Sequence, residues 1–145
     1  MGILIFIAQL SLSPTPWVVI DPGHGGEQDG AVGVCGVKEK DVVLAVSLKT
    51  AALINQTDTV RARLTRTSDH DIPLTDRPEM ANELGAALFV SVHANSSPSP
   101  KSRGVETFFL SRKASDKHAQ ALADRENGPG HHHVHEPTDA LSQII

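Results

Sequence analysis

The chain contains no tyrosine, and four phenylalanines and one tryptophan are its only aromatic residues. That leaves little material for a large stacking platform of the kind that grips sugar rings or bases. Cys35 is the single cysteine, so no disulfide can close within the chain. No run of lysine or arginine is present and the net charge is −4, which argues against a nucleic-acid partner. Long apolar runs are missing too. The stretch Ile3 to Ala8 falls well short of the roughly 20 residues that cross a bilayer, so no transmembrane span is expected.

What remains is an ordinary globular composition, 39% hydrophobic and 21% charged, in 145 residues. That is enough for one domain with one core. Residues 1–16 stand apart, with the apolar stretch followed by small residues before Pro14 and Pro16 but no positive start. They are either the hydrophobic region of a secretory signal or a leader ahead of the first strand. Cys35 sits in Gly33-Val34-Cys35-Gly36, where a turn residue is the plain reading and a thiol nucleophile the sharp one.

The rest of the chain is organised around WVVIDPGHGG, Trp17 to Gly26. Trp17 to Ile20 reads as a buried strand. Asp21-Pro22-Gly23 breaks it and delivers His24 at the strand's carboxyl end. A glycine-rich loop to Gly36 follows, and a helix is expected from Lys38 to about Asn55, with Leu44, Leu48, Ala51 and Ala52 on its packed face. Val60 to Thr65 alternates like a strand with one wet face, and Asp76 to Leu84 reads as a helix closed by Gly85. Leu88 to Val92 is expected as a buried strand running straight into His93. Val105 to Leu110 is expected as a further strand and Ser115 to Glu126 as a last helix. Strands alternating with helices predict an α/β fold with a mostly parallel central sheet and helices on both faces.

Two strands that each end in a histidine suggest one metal site. Two imidazoles and a carboxylate make an open zinc site with room for water. From spacing alone Glu27, Asp29 and Glu39 compete for the acidic place.

The motif VVIDPGHGG, followed by GVKEKDVVLA and then SVHAN, resembles the zinc-dependent N-acetylmuramoyl-L-alanine amidases of the type-3 amidase family. Leu64-Thr65-Arg66, Arg77 with Ala81-Asn82, Gly104 to Phe108 and Ala121 to Asn127 fit the same family, in order, within Val18 to Asn127. Its members cut the amide between the lactyl group of muramic acid and L-alanine in peptidoglycan. The resemblance therefore implies a hydrolase with one Zn2+ held by His24, Glu39 and His93, working outside the cytoplasm in periplasm or cell wall. It also implies that Arg77 and Asn95 shape the substrate site or its supporting shell.

The resemblance divides the chain into the leader, 1–16, an amidase catalytic domain, 17–127, and a tail, 128–145. Family members carry a catalytic glutamate on a further strand. Glu106, Glu126 and Glu136 do not occupy that motif, so the catalytic residue is unassigned and is expected beyond the chain end. Ending on the uncapped apolar pair Ile144-Ile145, the chain is expected to be a truncation that lacks the last strand. A chain so shortened is expected to bind zinc incompletely and to hydrolyse peptidoglycan poorly. The alternative function is a catalytically inactive zinc- and peptidoglycan-binding fragment. In the tail, His131 to His135 and the helix start at Asp139 resemble the regulatory insertion of cell-division amidases, which would imply an activator protein as partner. The plainer reading is a flexible loop that binds metals adventitiously.

Overall fold

The structure, a computed structural model, describes residues 14–97, 99, 101–108 and 121. Its elements are β1 (Trp17–Pro22), α1 (Glu39–Ile54), β2 (Arg61–Leu64), α2 (Asp76–Leu84) and β3 (Leu88–Val92). The three strands form a parallel sheet in the order β2-β1-β3, with Ile20 opposite Leu64 on one side and Val90 on the other.

Successive residues of a strand point to opposite faces, and β1 uses this to hold both helices. Val19 packs with Ala81 and Ala86 on the α2 face, flanked by Trp17, Leu84 and Phe89. Ile20 packs on the opposite face with Ala51 of α1 and Ala62 of β2. Burying either side chain stabilises the fold by about 1.5–3 kcal/mol. Helices on both faces are what two right-handed crossovers running in opposite directions require. The outer edge of β2 is blunted by Asn55, whose side chain exchanges two hydrogen bonds with the backbone of Ala62. No helix among the described residues is long and apolar enough to cross a membrane.

Three expectations are corrected. The packed stripe of α1 is Val43, Ser47 and Ala51, so of the expected Leu44, Leu48, Ala51 and Ala52 only Ala51 is fully buried. Leu48 is 39% exposed and Ala52 is exposed, because the first turn is oriented by burial of Glu39 rather than by the leucines. Strand β3 is only partly buried. It is an outer strand of the described sheet, so Leu88 and Val90 stay exposed. The strand expected at Val105 to Leu110 is not formed over 105–108, where Val105 is 95% exposed and no neighbour among the described residues takes up its backbone groups in a ladder; 109–110 lie outside the described residues. Residues 1–13, the body of the expected last helix other than Ala121, and the tail lie outside the described residues, Glu126 and Glu136 among them.

The order β2-β1-β3 reverses direction at β1. It leaves a crevice between the carboxyl ends of β1 and β3, the switch point where ligands of open α/β sheets bind.

Candidate metal centre

His24 and His93 enter this crevice from the loops that follow β1 and β3, and Glu39 enters it from the first turn of α1. One ligand atom from each lies within 4.8 Å of the others. Glu39 Oε1 is 3.4 Å from His24 Nε2 and 3.2 Å from His93 Nδ1. The two imidazoles meet edge to face with ring centres 5.0 Å apart.

Glu39 is buried because the loop before it folds back over the helix start. The first amide groups of a helix lack partners within it. Here the Glu39 and Lys40 N–H groups donate to the carbonyls of Ala31 and Asp29. The carboxylate in turn accepts from Ala31 N–H at 2.8 Å and Ala94 N–H at 2.7 Å, one on each side of the crevice. Burial alone would raise its pKa. The His93 hydrogen bond, the two amide groups and the nearby His24 outweigh that and bring it down to about 2. A buried acid held ionised between two imidazoles is a donor set for a divalent ion.

Two glycines leave the room that such a set needs. A Cβ on Gly23 would collide with the His93 ring. One on Gly30 would come within 2.8 Å of both His24 Cδ2 and Glu39, at a backbone φ of +69° that disfavours side chains anyway. Gly30→Ala should therefore displace His24 and Glu39 and weaken divalent-metal binding at this candidate site by about tenfold or more, the scale of changes to groups that support metal ligands. An unchanged affinity in a competition titration would contradict this account of the loop.

Behind these candidate ligands lies a largely buried polar layer. Asp21 Oδ1 accepts from Thr65 Oγ1 at 2.7 Å and Arg77 Nη1 at 2.9 Å, and Oδ2 accepts from Ser91 Oγ at 2.8 Å. Arg77 also donates to the carbonyls of Ile72, Pro22 and His24. Arg66, 1% exposed, donates to the carbonyls of Pro22, Gly23, Lys40 and Ser68. Burial and the neighbouring Arg77 guanidinium push the pKa of Arg66 down from its ordinary value. His24 itself has φ +58°, a conformation that costs a non-glycine residue about 1–3 kcal/mol and persists only where the surroundings impose it.

Lys40 closes the glycine-rich loop from outside, bonding the Gly26 carbonyl, Asp29 and Asp69. Hydrogen bonds from Lys38 and Lys40 lower the pKa of Asp29. Those from Lys40 and the Gly26 amide lower that of Asp69, while Asp69 and Asp29 raise that of Lys40. The clamp's stabilisation is therefore complete above the ordinary carboxylate value of 3.8 and is lost as pH falls through the lower folded values. On the alkaline side it is complete below 10.5 and is lost as pH rises through the raised Lys40 value. Lys40→Met should speed hydrogen exchange of the Gly26 amide several-fold at neutral pH while leaving the β1 amides unchanged. Equal acceleration in β1 would mean general loosening instead.

Of the three competing acids, Glu39 joins the histidines. Asp29 pairs with Lys38 and Lys40, and Glu27 is exposed. Arg77 stands behind His24 and lines the crevice, whereas Asn95 is exposed two residues beyond His93. Cys35 is exposed in a short turn away from the cluster. Sequence reasoning gave no role to Asp21, Arg66 or Gly30. A carboxylate closing an apolar strand and an arginine closing an alternating one were the available signals. Beside the candidate ligands opens a cleft of about 220 Å³, lined by Asp21, Gln28, Arg77 and Ser91 and by the apolar Leu74, Pro78 and Phe89.

Fold and site together define a doubly wound α/β domain with a candidate His₂–carboxylate metal centre at its switch point. The family described as Amidase_3, N-acetylmuramoyl-L-alanine amidase, matches residues 18–133, and the chain belongs to that family. It is 50% identical over 111 residues to the N-acetylmuramoyl-L-alanine amidase AmiA of Escherichia coli K12, covering 76% of this chain and 38% of AmiA. It is 40% identical over 111 residues to AmiC of an Escherichia coli O6:H1 strain, covering 76% of this chain and 27% of AmiC. Among solved structures, the catalytic domain of the amidase CwlV from Bacillus (Paenibacillus) polymyxa var. colistinus matches with a TM-score of 0.63 at 40% identity, over 75% of this chain and 61% of that one. AmiC2 of Nostoc punctiforme matches with a TM-score of 0.56 at 46% identity, over 59% of this chain and 47% of that one. The chain thus spans well under half the length of the two curated relatives.

Proposed function

We propose that this chain carries the zinc-binding part of a peptidoglycan hydrolase that cleaves the amide between N-acetylmuramic acid and L-alanine, outside the cytoplasm. The observation that carries this reading is the His24–Glu39–His93 cluster at the sheet's switch point in a member of the amidase family. Two imidazoles and a carboxylate suit zinc, and the glycine cradle leaves space at their ligand atoms. When bound, the ion supplies Lewis acidity, polarising an amide carbonyl and making water acidic enough to attack at neutral pH.

The chain's own residues do the rest. Ala31 and Ala94 hold the Glu39 carboxylate by its two oxygens, so its direction is set before any ligand arrives. The cleft beside the histidines offers apolar walls and polar groups to orient a substrate amide. Asp21 lines that cleft, but Thr65, Arg77 and Ser91 occupy its oxygens, so it is not the base that moves the water's proton. No carboxylate besides Glu39 joins the cluster among the described residues. The proton carrier is proposed to be the glutamate of the family's further strand.

The test is metal analysis together with muropeptide release, on this chain and on a version extended with a family-type final strand and glutamate. Stoichiometric zinc, with L-alanine-headed peptides released from intact glycan by the extended version, is the expected result. Iron in place of zinc would overturn the choice of metal, since the same donor set also serves iron. Cleavage at another bond would overturn the choice of substrate.

A further inference from the structure

Arg66 is a buried cation whose hydrogen bonds go to backbone carbonyls. Its Nη2 donates to Gly23 O at 2.8 Å and to Lys40 O at 3.0 Å. Gly23 is the residue before His24, and Lys40 is the residue after Glu39. One nitrogen therefore ties together the backbones beside two of the three candidate ligands, which lie on different elements. Its Nε donates at 2.9 Å to Pro22 O, which also accepts from Arg77 Nη1 at 3.1 Å. From Arg77 the chain of bonds runs through Asp21 to Ser91, two residues before His93. The layer thus reaches the support of all three ligands.

A core that needed only to be filled would be better served by apolar side chains, because desolvating a guanidinium is expensive. What the guanidinium supplies is direction: a rigid planar fork whose donors address several carbonyls at fixed angles. The loop it grips, Pro22 to Gly26, contains a proline and three glycines, and His24 has a left-handed φ that Arg77 Nη2 secures through the His24 carbonyl at 3.0 Å. Lysine could match the charge but not the fork.

We propose that Arg66 is a positioning residue for the metal centre, stapling the His24 loop to the Glu39 helix and acting with Arg77 and Asp21 to hold the ligands at metal-binding separation. This rests on the reading of His24, Glu39 and His93 as ligands, and the experiment separates the two. The full chain, Arg66→Lys and Ser91→Ala are compared as apo-proteins by circular dichroism, then by Zn2+ competition titration and by the visible spectrum with Co2+. The expected result is a folded Arg66→Lys variant whose Zn2+ affinity is about 10–100-fold weaker, the range seen when groups that support ligands are changed. Its Co2+ absorption should shift in energy and intensity. Ser91→Ala, which removes only the last bond of the layer, should fold normally and lose about threefold.

A folded Arg66→Lys with wild-type affinity and spectrum overturns the proposal. Should Arg66→Lys not fold, wild-type affinity in Ser91→Ala overturns it, and loss of fold in both variants does so too, because the layer would then be merely structural. A wild-type chain that takes up no metal overturns the ligand reading itself, and this proposal with it.

Discussion

Replacing Asp21 with alanine should destabilise the fold by about 3–5 kcal/mol, the range for removing one partner of a buried ion pair. The change strips three donors of their acceptor at once: the Thr65 hydroxyl, the Arg77 guanidinium and the Ser91 hydroxyl. Arg77 is 4% exposed, so it would be left a poorly solvated cation. Arg66, also buried, would then press on Arg77 with no carboxylate between them. Against a total stability of about 5–15 kcal/mol for a typical domain, the loss is about a fifth at the least and at most the whole of it. Urea denaturation gives the value directly. A loss below about 1 kcal/mol, the size of an ordinary neutral hydrogen bond, would mean that Asp21 is not the hub of this layer. Asp21→Asn should fall between the two, since it keeps one oxygen but not the charge.

If zinc binds as proposed, Glu39→Gln should abolish most of the stabilisation that the ion would give to the folded chain. With free zinc at a hundred times the dissociation constant, binding contributes about 2.7 kcal/mol by mass action. For a domain of this size that corresponds to about 8 °C in melting temperature, at roughly 3 °C per kcal/mol. A hundredfold weaker site at the same zinc concentration would contribute only about 0.4 kcal/mol, or about 1 °C. The physical reason is specific to this pocket. Glu39 accepts an amide N–H on each of its oxygens, and glutamine has only one oxygen to offer. Its NH₂ group would face a donor, turn the side chain away and remove the charge that attracts the ion. Melting curves with and without zinc decide the matter: a zinc-induced rise in Glu39→Gln as large as in the wild type would falsify the assignment of Glu39.

Much of this was legible along the chain because the signals are local. An apolar run stopped by Asp21-Pro22-Gly23 marks a strand end, and helical spacing from Asp76 to Leu84 marks α2. Two strands entering histidines mark a site. The misreadings share a cause. On α1, apolar periodicity pointed to Leu44 and Leu48. The helix is instead turned by polar contacts made in three dimensions, which bury Glu39 and Lys40 in its first turn. Burial of β3 was inferred from its composition, but burial depends on neighbours, and the described sheet leaves it at an edge.

By itself the sequence determined the alternation of strands and helices, the two strand-end histidines and the family resemblance, because each of these is written in contiguous residues. Spacing left three acids open and the family resemblance named Glu39; only the tertiary structure shows how Glu39 is brought to the histidines, and why the chain places Asp21, Arg66 and Arg77 where it does. Those choices rest on contacts between residues as many as 70 positions apart, such as Ser91 with Asp21. Such contacts exist only once β1, β2 and β3 lie side by side and a buried polar group must find its partner there.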